Sequence, residues 1–282
     1  MRLVVTGAGG GLATAFLACV PGHHQVFAFD HAALDVGDHD AVRRSVEPLA
    51  PDAIVNLAAF TQVDGNETDP ERAVRDNAMG PQHLALAARA TGAAMLHIST
   101  DFVFDGGKGA PYDELDEPAP ISVYGRVKLA GDRHVVALCP DHLIVRVGSV
   151  YGGGADYLTR SVRTLADGGQ VGGLTDRVGT PTFVGHIAER LLPLLLARRW
   201  GTYHVASPEP ATWFEVLARV KALGDLPGQV RPQTAGELDL LAPRPAYSAL
   251  TSVYLPHLLS VPPMPGLDDG LRAVVATLAR RT

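Results

Sequence analysis

The sequence predicts an α/β protein built on a doubly wound parallel sheet, with a smaller lobe in its second half. Short apolar segments rich in β-branched residues alternate with segments of helical spacing over residues 1–150. A glycine-rich turn joins the first predicted strand to the first predicted helix. From residue 151 onwards the pattern loosens into connections rich in glycine and proline. Regular alternation of strands and helices favours a parallel sheet with helices on both faces.

Five segments of the first half have the composition of buried strands. They are short and largely apolar, which is typical of parallel strands covered on both faces. The segments are RLVVT (2–6), QVFAF (25–29), AIVNL (53–57), AMLHIS (94–99) and HLIVRV (142–147). Two helices are predicted between them, within DHDAVRRSVEPLA (38–50) and DPERAVRDNAMGPQHLALAARATG (69–92). Aspartate near each helix start, and glycine after the second, are signals of helix boundaries.

Composition narrows the classes of function. A chain of 282 residues with 46% hydrophobic content can bury a large core, and its net charge of −6 includes no basic block. We therefore expect neither a nucleic-acid partner nor an anionic-membrane partner. Cys19 and Cys139 lie in unrelated contexts and suggest a reducing compartment, so we expect a cytoplasmic protein. The longest apolar run, LLPLLLA, is far shorter than a membrane span of ~20 residues.

The glycine-rich turn carries the first chemical signal. TGAGGGLA places Gly7, Gly10 and Ala13 where a strand gives way to a helix, so the backbone can approach a pyrophosphate at the helix N-terminus. Asp30 follows the second strand, where a carboxylate can accept hydrogen bonds from an adenosine ribose. Each feature alone also fits a plain turn or a solvated loop aspartate. Together in one βαβ unit they predict a dinucleotide site, and the fold is therefore Rossmann-type.

The same residues bear on the choice of cofactor and on domain organisation. A carboxylate at Asp30 repels a ribose 2′-phosphate, so the sequence favours NADH over NADPH, with either cofactor open. We expect a dinucleotide-binding domain over residues 1–150. Residues 151–282 are expected to form mainly a substrate-binding lobe, partly interleaved with the sheet.

A tyrosine and a lysine in SVYGRVKLAG carry the second signal. Tyr124 and Lys128 are four residues apart and share one helical face, so the ammonium group is expected to lower the pKa of the phenol. Such a phenol can supply the acid–base half of hydride transfer. Thr100 and Asp101 end the fourth strand, at the sheet edge where ligands of doubly wound folds bind. An ordinary amphipathic helix, and a simple turn cap at Asp101, are the alternatives.

Seven segments, taken in order, resemble the dTDP-4-dehydrorhamnose reductase family of extended short-chain dehydrogenases. They are TGAGGGLA, AAFTQVD, NAMGP, HISTDFVFDG, PYDELDEPAPISVYGRVKLAG, DRVGTPT and APRPAYSAL. The resemblance covers nearly the whole chain. It implies reduction of the 4-keto group of a dTDP-4-keto-6-deoxyhexose by NADH or NADPH, in deoxysugar biosynthesis.

The resemblance also implies roles for individual residues. The catalytic residues would be Thr100, Tyr124 and Lys128, with Asp101 beside them. Asn77 would support the sheet near the site. The cofactor would contact Gly7, Gly10, Gly11, Leu12, Asp30, Asp35, Val36, Ala58, Ala59, Tyr124 and Lys128. The substrate would contact Thr61, Val103, Ser149 and Arg244.

The sequence departs from the family pattern at positions that are expected to lie near the substrate. The family usually has an RTSW-type sequence after the fifth strand, whereas this chain has RVGS at 146–149 and lacks the aromatic residue. The identity of the hexose therefore stays open. Tyr247 and Thr251 also differ from the residues that are common in the family at these positions. Some members hold magnesium between subunits through glutamates, and the corresponding residues here are Ala15 and Gly185, so we expect no metal.

Two other functions remain open at this point. The chain can be a dinucleotide-binding regulatory subunit without catalysis, or a sugar-nucleotide epimerase or dehydratase that uses the same three residues. The complete Thr100, Tyr124 and Lys128 set argues against the first, because a pure binding module needs no acid–base residue. Tightly bound NAD would favour the second. The sequence also leaves a homodimer open.

Overall fold

The computed structural model describes residues 1–279. Its strands are short, and the longest, β4, has seven residues. The strands are β1 (Arg2–Thr6), β2 (Gln25–Phe29), β3 (Ala53–Asn56), β4 (Ala94–Thr100), β5 (His142–Val147), β6 (Val150–Tyr151), β7 (Gln170–Leu174), β8 (Val178–Gly179), β9 (Thr182–Phe183), β10 (Gly201–His204), β11 (Ala211–Thr212) and β12 (Gln229–Gln233).

Helices connect most of these strands. They are α1 (Gly11–Cys19), α2 (His39–Val46), α3 (Val63–Thr68), α4 (Pro70–Val74), α5 (Gly80–Thr91), α6 (Val123–Leu138), α7 (Tyr157–Ala166), α8 (Val184–Ala197), α9 (Trp213–Leu223) and α10 (Leu267–Ala279). A π turn over Arg75–Met79 separates α4 from α5, and a 3₁₀ turn over Asp101–Val103 follows β4. No helix within residues 1–279 is long and apolar enough to cross a membrane.

Six strands form one parallel sheet in the order β10-β5-β4-β3-β1-β2. Alternate residues of each strand point to opposite faces, as the pleat requires. Leu3 and Leu96 lie in the core cluster that includes α1 and α8, whereas Val4 and Met95 lie in the cluster that includes α2, α5 and α6. The doubly wound, Rossmann-type sheet predicted from the sequence is therefore confirmed.

The second half of the chain contributes both to this sheet and to a smaller core. β10 pairs in parallel with β5, and α8 packs on α1, so part of this half completes the main sheet. The remainder forms three two-stranded pieces, β6 with β9, β7 with β12, and β8 with β11. The helices α7, α9 and α10 surround a separate apolar cluster that includes Leu158, Val216 and Leu271.

The predicted strands agree with the structure more closely than the predicted helical segment 69–92. All five predicted strands are present, with bounds that agree to within one residue. The helical segment 69–92 is interrupted by the π turn, although its spacing reads as one continuous helix. The sixth strand, β10, was not predicted, because GTYH has only four residues and pairs with a strand far earlier in the chain.

Candidate active site

The glycine turn after β1 brings two loops into direct contact. Gly7 has a φ of +74°, and a Cβ there would lie 2.7 Å from the backbone nitrogen of Ala58. Only glycine tolerates both conditions. Gly10 is the N-cap of α1, and it lines one cavity together with Ala58 of the loop that follows β3. A helix N-terminus with little side-chain cover suits an anionic pyrophosphate.

A cavity of about 570 Å³ lies along this turn. It is lined by the predicted cofactor residues Gly7, Gly10, Asp30, Val36, Ala58 and Ala59. Asp30 accepts a hydrogen bond from the Ala33 amide at 2.8 Å, which orients its carboxylate. Arg72 lines the same cavity, although it is 42 residues from Asp30 and no local signal marks it.

Asp35, another predicted cofactor residue, does not line this cavity. Its carboxylate accepts hydrogen bonds from the Arg75 guanidinium and from the Gly37 amide, the latter at 2.9 Å. The predicted cofactor contact at Asp35 stays a prediction.

A second cavity, of about 540 Å³, lies over the carboxyl ends of the central strands. It shares Gly10, Ala58 and Ala59 with the first cavity, so the two form one groove that runs from Asp30 to Tyr124. Its lining includes the predicted residues Gly11, Leu12, Thr61, Thr100, Asp101, Tyr124, Lys128 and Ser149. An elongated groove with a helix N-terminus midway fits an extended dinucleotide, with its nicotinamide end near Tyr124.

Helix α6 carries Tyr124 and Lys128, and Ser122 caps it by accepting a hydrogen bond from the Gly125 amide at 3.1 Å. The two side chains line one cavity, as their spacing predicted. Lys128 donates to the Ile98 carbonyl at 2.7 Å, and its Nζ lies 3.3 Å from Nε2 of His97. Burial lowers the pKa of Lys128 to about 8.

The expected lowering of the Tyr124 pKa is wrong for this structure. Burial raises the pKa of the Tyr124 phenol, and the neighbouring Asp101 carboxylate raises it further, while the Thr100 hydroxyl acts in the opposite direction. Desolvation by burial is the largest influence on the phenol. The phenol therefore keeps its proton at neutral pH.

Asp101 connects the predicted catalytic residues to the second half of the chain. It accepts a hydrogen bond from the Thr100 hydroxyl at 2.9 Å and one from the Ser248 hydroxyl at 2.5 Å. Burial raises the pKa of Asp101 to about 6, although both hydroxyl donors favour its ionised form. The Thr100 hydroxyl has one hydrogen, so it can donate to a ligand only when it releases Asp101. Sequence reasoning missed Ser248, which lies 147 residues away.

Two of the predicted substrate residues lie elsewhere. Val103 is fully buried, packed with Phe104 and Tyr112 in a small core cluster, because the 3₁₀ turn directs it inward. Its side chain lines neither cavity of the groove, where Phe102 lies instead, and the expected contact of Val103 with substrate stays a prediction. Arg244 lies outside the second cavity and forms a two-pronged ion pair with Asp64.

The Asp64–Arg244 pair joins the two halves of the chain beside the site. The two hydrogen bonds measure 3.0 and 2.9 Å, and Asp64 also accepts from the Ala242 amide. Val63, the residue before Asp64, lines the second cavity. Arg244 itself lines a third cavity of about 330 Å³ together with Arg177. A guanidinium fork of this kind also suits a phosphate.

Asn77 binds the loop after β3, and its expected support of the sheet stays a prediction. It lies on the π turn, donates to the Phe60 carbonyl at 2.9 Å and accepts from the Phe60 amide at 2.9 Å. These bonds hold the loop after β3, which carries Ala58, Ala59 and Thr61. Among residues 1–279, no group of three or more His, Cys, Asp or Glu side chains is arranged to hold a metal ion.

Comparison with known proteins agrees with this geometry. The family described as RmlD substrate binding domain matches residues 1–279. The dTDP-4-dehydrorhamnose reductase of Mycolicibacterium smegmatis is 40% identical over 258 residues, which are 89% of this chain and 78% of that protein. A crystal structure of the Bacillus anthracis dTDP-4-dehydrorhamnose reductase in complex with NADP is 30% identical, with a TM-score of 0.93 over 98% of this chain and 99% of that one.

A more distant neighbour shares the fold alone. The structure of a Thermus thermophilus UDP-glucose 4-epimerase in complex with NAD is 21% identical, with a TM-score of 0.82 over the full length of both chains. Identity this low carries no conclusion about activity. The family model that matches residues 1–279 and the 40% identical relative show that the chain belongs to the dTDP-4-dehydrorhamnose reductase family.

Proposed function

We propose that this protein reduces the 4-keto group of a dTDP-4-keto-6-deoxyhexose, with a nicotinamide dinucleotide as hydride donor. The observation that carries the proposal is the convergence of Thr100, Tyr124 and Lys128 on one cavity that is continuous with the groove along the glycine turn. A binding module has no need of a buried phenol and a buried amine at the end of such a groove. The names of the relatives give the substrate class.

The bound nicotinamide supplies the hydride, and the residues of this chain manage the proton. Tyr124 is the proton donor to the carbonyl oxygen, because the phenol is protonated at neutral pH. Thr100 donates a hydrogen bond to the same oxygen after releasing Asp101. Lys128 stabilises the phenolate that remains, since a nearby cation favours the charged form.

The substrate is proposed to lie between the sheet edge and the second half of the chain. Thr61 and Ser149 line the second cavity and can bind the sugar. Arg244 is proposed to bind the diphosphate, which must then replace Asp64 as the partner of the guanidinium. The missing aromatic residue in RVGS leaves room for a 4-keto sugar of different configuration.

We propose that NADH is preferred and that NADPH is accepted. Asp30 lines the adenosine end of the groove, and its carboxylate repels a 2′-phosphate. Arg72 lines the same cavity and offers a positive charge that reduces this repulsion. Comparison of kcat/KM for NADH and NADPH in the wild type and in Asp30→Ala checks the proposal. A clear advantage for NADPH in the wild type would contradict it.

The deciding experiment follows NADH and NADPH oxidation against a small panel of dTDP-4-keto-6-deoxy sugars, with NMR of the product. We expect stoichiometric cofactor oxidation and a new hydroxyl-bearing C4. A product formed with no net cofactor oxidation, from protein that carries tightly bound NAD, would indicate an epimerase or dehydratase. Binding of the dinucleotide without turnover on any member of the panel would indicate a regulatory subunit.

A further inference from the structure

A row of buried polar side chains crosses the sheet behind the active site. Thr6, Asn56 and His97 are direct neighbours in the registers of β1, β3 and β4, and each is at most 1% exposed. They point to the face covered by α6, where they continue the apolar rows of Val4, Ile54 and Met95. Polar groups at such positions must satisfy one another.

The hydrogen bonds along this row determine the tautomer of His97. The side-chain oxygen of Asn56 accepts from the Thr6 hydroxyl at 2.7 Å and from the Ala58 amide at 3.2 Å. The Asn56 amide nitrogen therefore donates to Nδ1 of His97 at 2.9 Å. Burial and the Lys128 charge lower the pKa of His97 well below its usual range, so the ring is neutral and its hydrogen is on Nε2.

Nε2 of His97 lies between a lysine and a carboxylate. Nζ of Lys128 is 3.3 Å away and Oδ1 of Asp132 is 3.7 Å away. A protonated Nε2 cannot accept a hydrogen bond from an ammonium group, so its favourable partner is Asp132. That carboxylate oxygen has no hydrogen-bond partner within the described part of the chain. The other oxygen of Asp132 accepts from the Ser99 hydroxyl at 2.8 Å.

Asp132 is also the counter-charge of two buried cations. It follows Lys128 by one helical turn on α6, and Nε of Arg146 on β5 lies 3.6 Å from its Oδ2. Lys128 and Asp132 are at most 3% exposed, and Arg146 is 7% exposed. Burial lowers the pKa of Lys128, and Asp132 acts in the opposite direction. The ionisable groups nearest Lys128 are Asp132 and Tyr124 on α6, His97 on β4, Asp101 after β4 and Arg146 on β5.

We propose that Asp132, bound by the Ser99 hydroxyl and flanked by the Nε2–H of His97 and the Arg146 guanidinium, is a positioning residue that keeps the Lys128 amine charged. Asp132 lines neither cavity of the groove within residues 1–279, so it acts through Lys128 alone. Without its charge, two cations would share a buried site and the lysine would lose its proton. The inference rests on the proposed role of Lys128 in reduction.

The chain allows a direct test because it contains only three lysines, Lys108, Lys128 and Lys221. The full-length protein is labelled with ¹³C-lysine, and the Cε–Hε signals are followed by NMR as the pH is raised, with Lys128 assigned from Lys128→Met. In the wild type, the Lys128 signal should titrate below the ordinary range of a lysine. In Asp132→Asn, its midpoint should fall by about one pH unit or more.

Three comparisons separate this role from a structural one. Asp132→Glu keeps the charge and should restore the midpoint. Ser122→Ala removes the cap of the same helix, so it should lower the melting temperature and leave the Lys128 midpoint unchanged. Lys221, which donates to the Leu226 carbonyl, should titrate identically in every variant.

Two results would overturn the inference. The first is an unchanged Lys128 midpoint in folded Asp132→Asn. The second applies if that variant does not fold. The wild-type Lys128 signal should then show an additional acidic inflection as Asp132 takes up a proton, and its absence would refute the proposed effect of Asp132 on Lys128. Because the titration needs no substrate, it separates failure of this inference from failure of the proposed reduction.

Discussion

Tyr124 differs from an exposed tyrosine through what surrounds its hydroxyl. Its ring packs edge-on against Phe102, with centroids 5.8 Å apart, and the phenol opens onto the cavity that Thr100 and Lys128 also line. Burial favours the neutral phenol, and a substrate carbonyl needs a proton from a neutral donor. A raised pKa also weakens the phenol as an acid, so proton transfer from Tyr124 requires a nearby cation that stabilises the phenolate.

Tyr124→Phe removes only the hydroxyl and keeps the ring contact. We expect kcat to fall by about 100-fold to 10,000-fold, because general acid catalysis is lost, while the dissociation constant of the dinucleotide changes little. Steady-state kinetics and fluorescence titration of the cofactor check both. Tyr151→Phe is a matched control, since Tyr151 is also buried and its hydroxyl donates to the Leu267 carbonyl outside the groove. Near wild-type turnover in Tyr124→Phe would contradict the mechanism.

Asp101 gives the protein a pH-dependent stability term whose sign follows from its raised pKa. Its pKa is about 6 when folded, against 3.8 for an ordinary aspartate. Between these values the native state binds more protons than the unfolded state, so the free energy of unfolding falls as pH rises through this window. The contribution is fully present below pH ~4 and is lost above pH ~6, a change of about 3 kcal/mol for a fully buried group.

Asp101→Asn should remove this dependence because an amide does not ionise. We expect the free energy of unfolding of Asp101→Asn, measured relative to the wild type, to rise by about 3 kcal/mol between pH 4 and pH 7. Urea denaturation of both proteins at several pH values measures this difference. A difference that stays constant over the range would show that Asp101 does not titrate there.

Helix α6 owes its position to two glycines on its buried side. A Cβ on Gly125 would lie 2.1 Å from the Phe102 carbonyl oxygen, and one on Gly131 would lie 2.4 Å from the Asn77 carbonyl oxygen. The helix therefore packs directly on the 3₁₀ turn after β4 and on the π turn. This close approach places Tyr124 beside Thr100, so the geometry of the site depends on the element as a whole.

Gly125→Ala should move α6 away from the turn that carries Asp101 and Phe102. In an open helix the change would stabilise the protein by about 1 kcal/mol, but here we expect destabilisation of about 1–3 kcal/mol from overpacking. Because Tyr124 moves with the helix, kcat/KM should fall at least tenfold. Thermal melts and kinetics measure both. Gly22→Ala, in open space, is the control, and a stabilised, fully active Gly125→Ala would refute the close approach.

The two halves of the molecule meet through polar contacts around the site. Asp101 binds Ser248, Asp64 binds Arg244, and Glu114 accepts from the backbone amides of His204 and Val253. Together with β10 in the main sheet, these contacts hold the second half against the carboxyl ends of the strands. The proposed substrate site therefore depends on both halves of the chain.

The Asp64–Arg244 pair offers a test at this scale. If Arg244 binds the diphosphate, Arg244→Met should raise KM for the sugar nucleotide at least tenfold, whereas Asp64→Asn should leave KM unchanged or lower it, because the guanidinium is then free. The dissociation constant of the dinucleotide should stay constant in both. Arg219→Met, which breaks a similar pair with Glu209, is the control. An unchanged KM in Arg244→Met would show that Arg244 does not bind the sugar nucleotide.

Local sequence patterns predicted much of the fold and of the candidate site. The apolar strand segments, the glycine turn with Asp30, and the Tyr124–Lys128 spacing predicted the sheet, the groove and the catalytic helix, and the resemblance of its motifs predicted the family. These features are readable because each depends on a short stretch of chain: pleat alternation, helical period, or a turn that only glycine can form.

The tertiary structure alone decided the rest. His97 and Arg146 were visible as polar residues within apolar strands, but their partners Asn56 and Asp132 lie on other elements. Val103 turned inward, Arg72 joined the groove and Arg244 paired with Asp64, none of which has a local signal. The pKa of Tyr124 rose where its spacing from a lysine predicted a fall. Burial and long-range pairing depend on how distant segments pack, and the spacing of two residues along a helix does not show how strongly burial desolvates them.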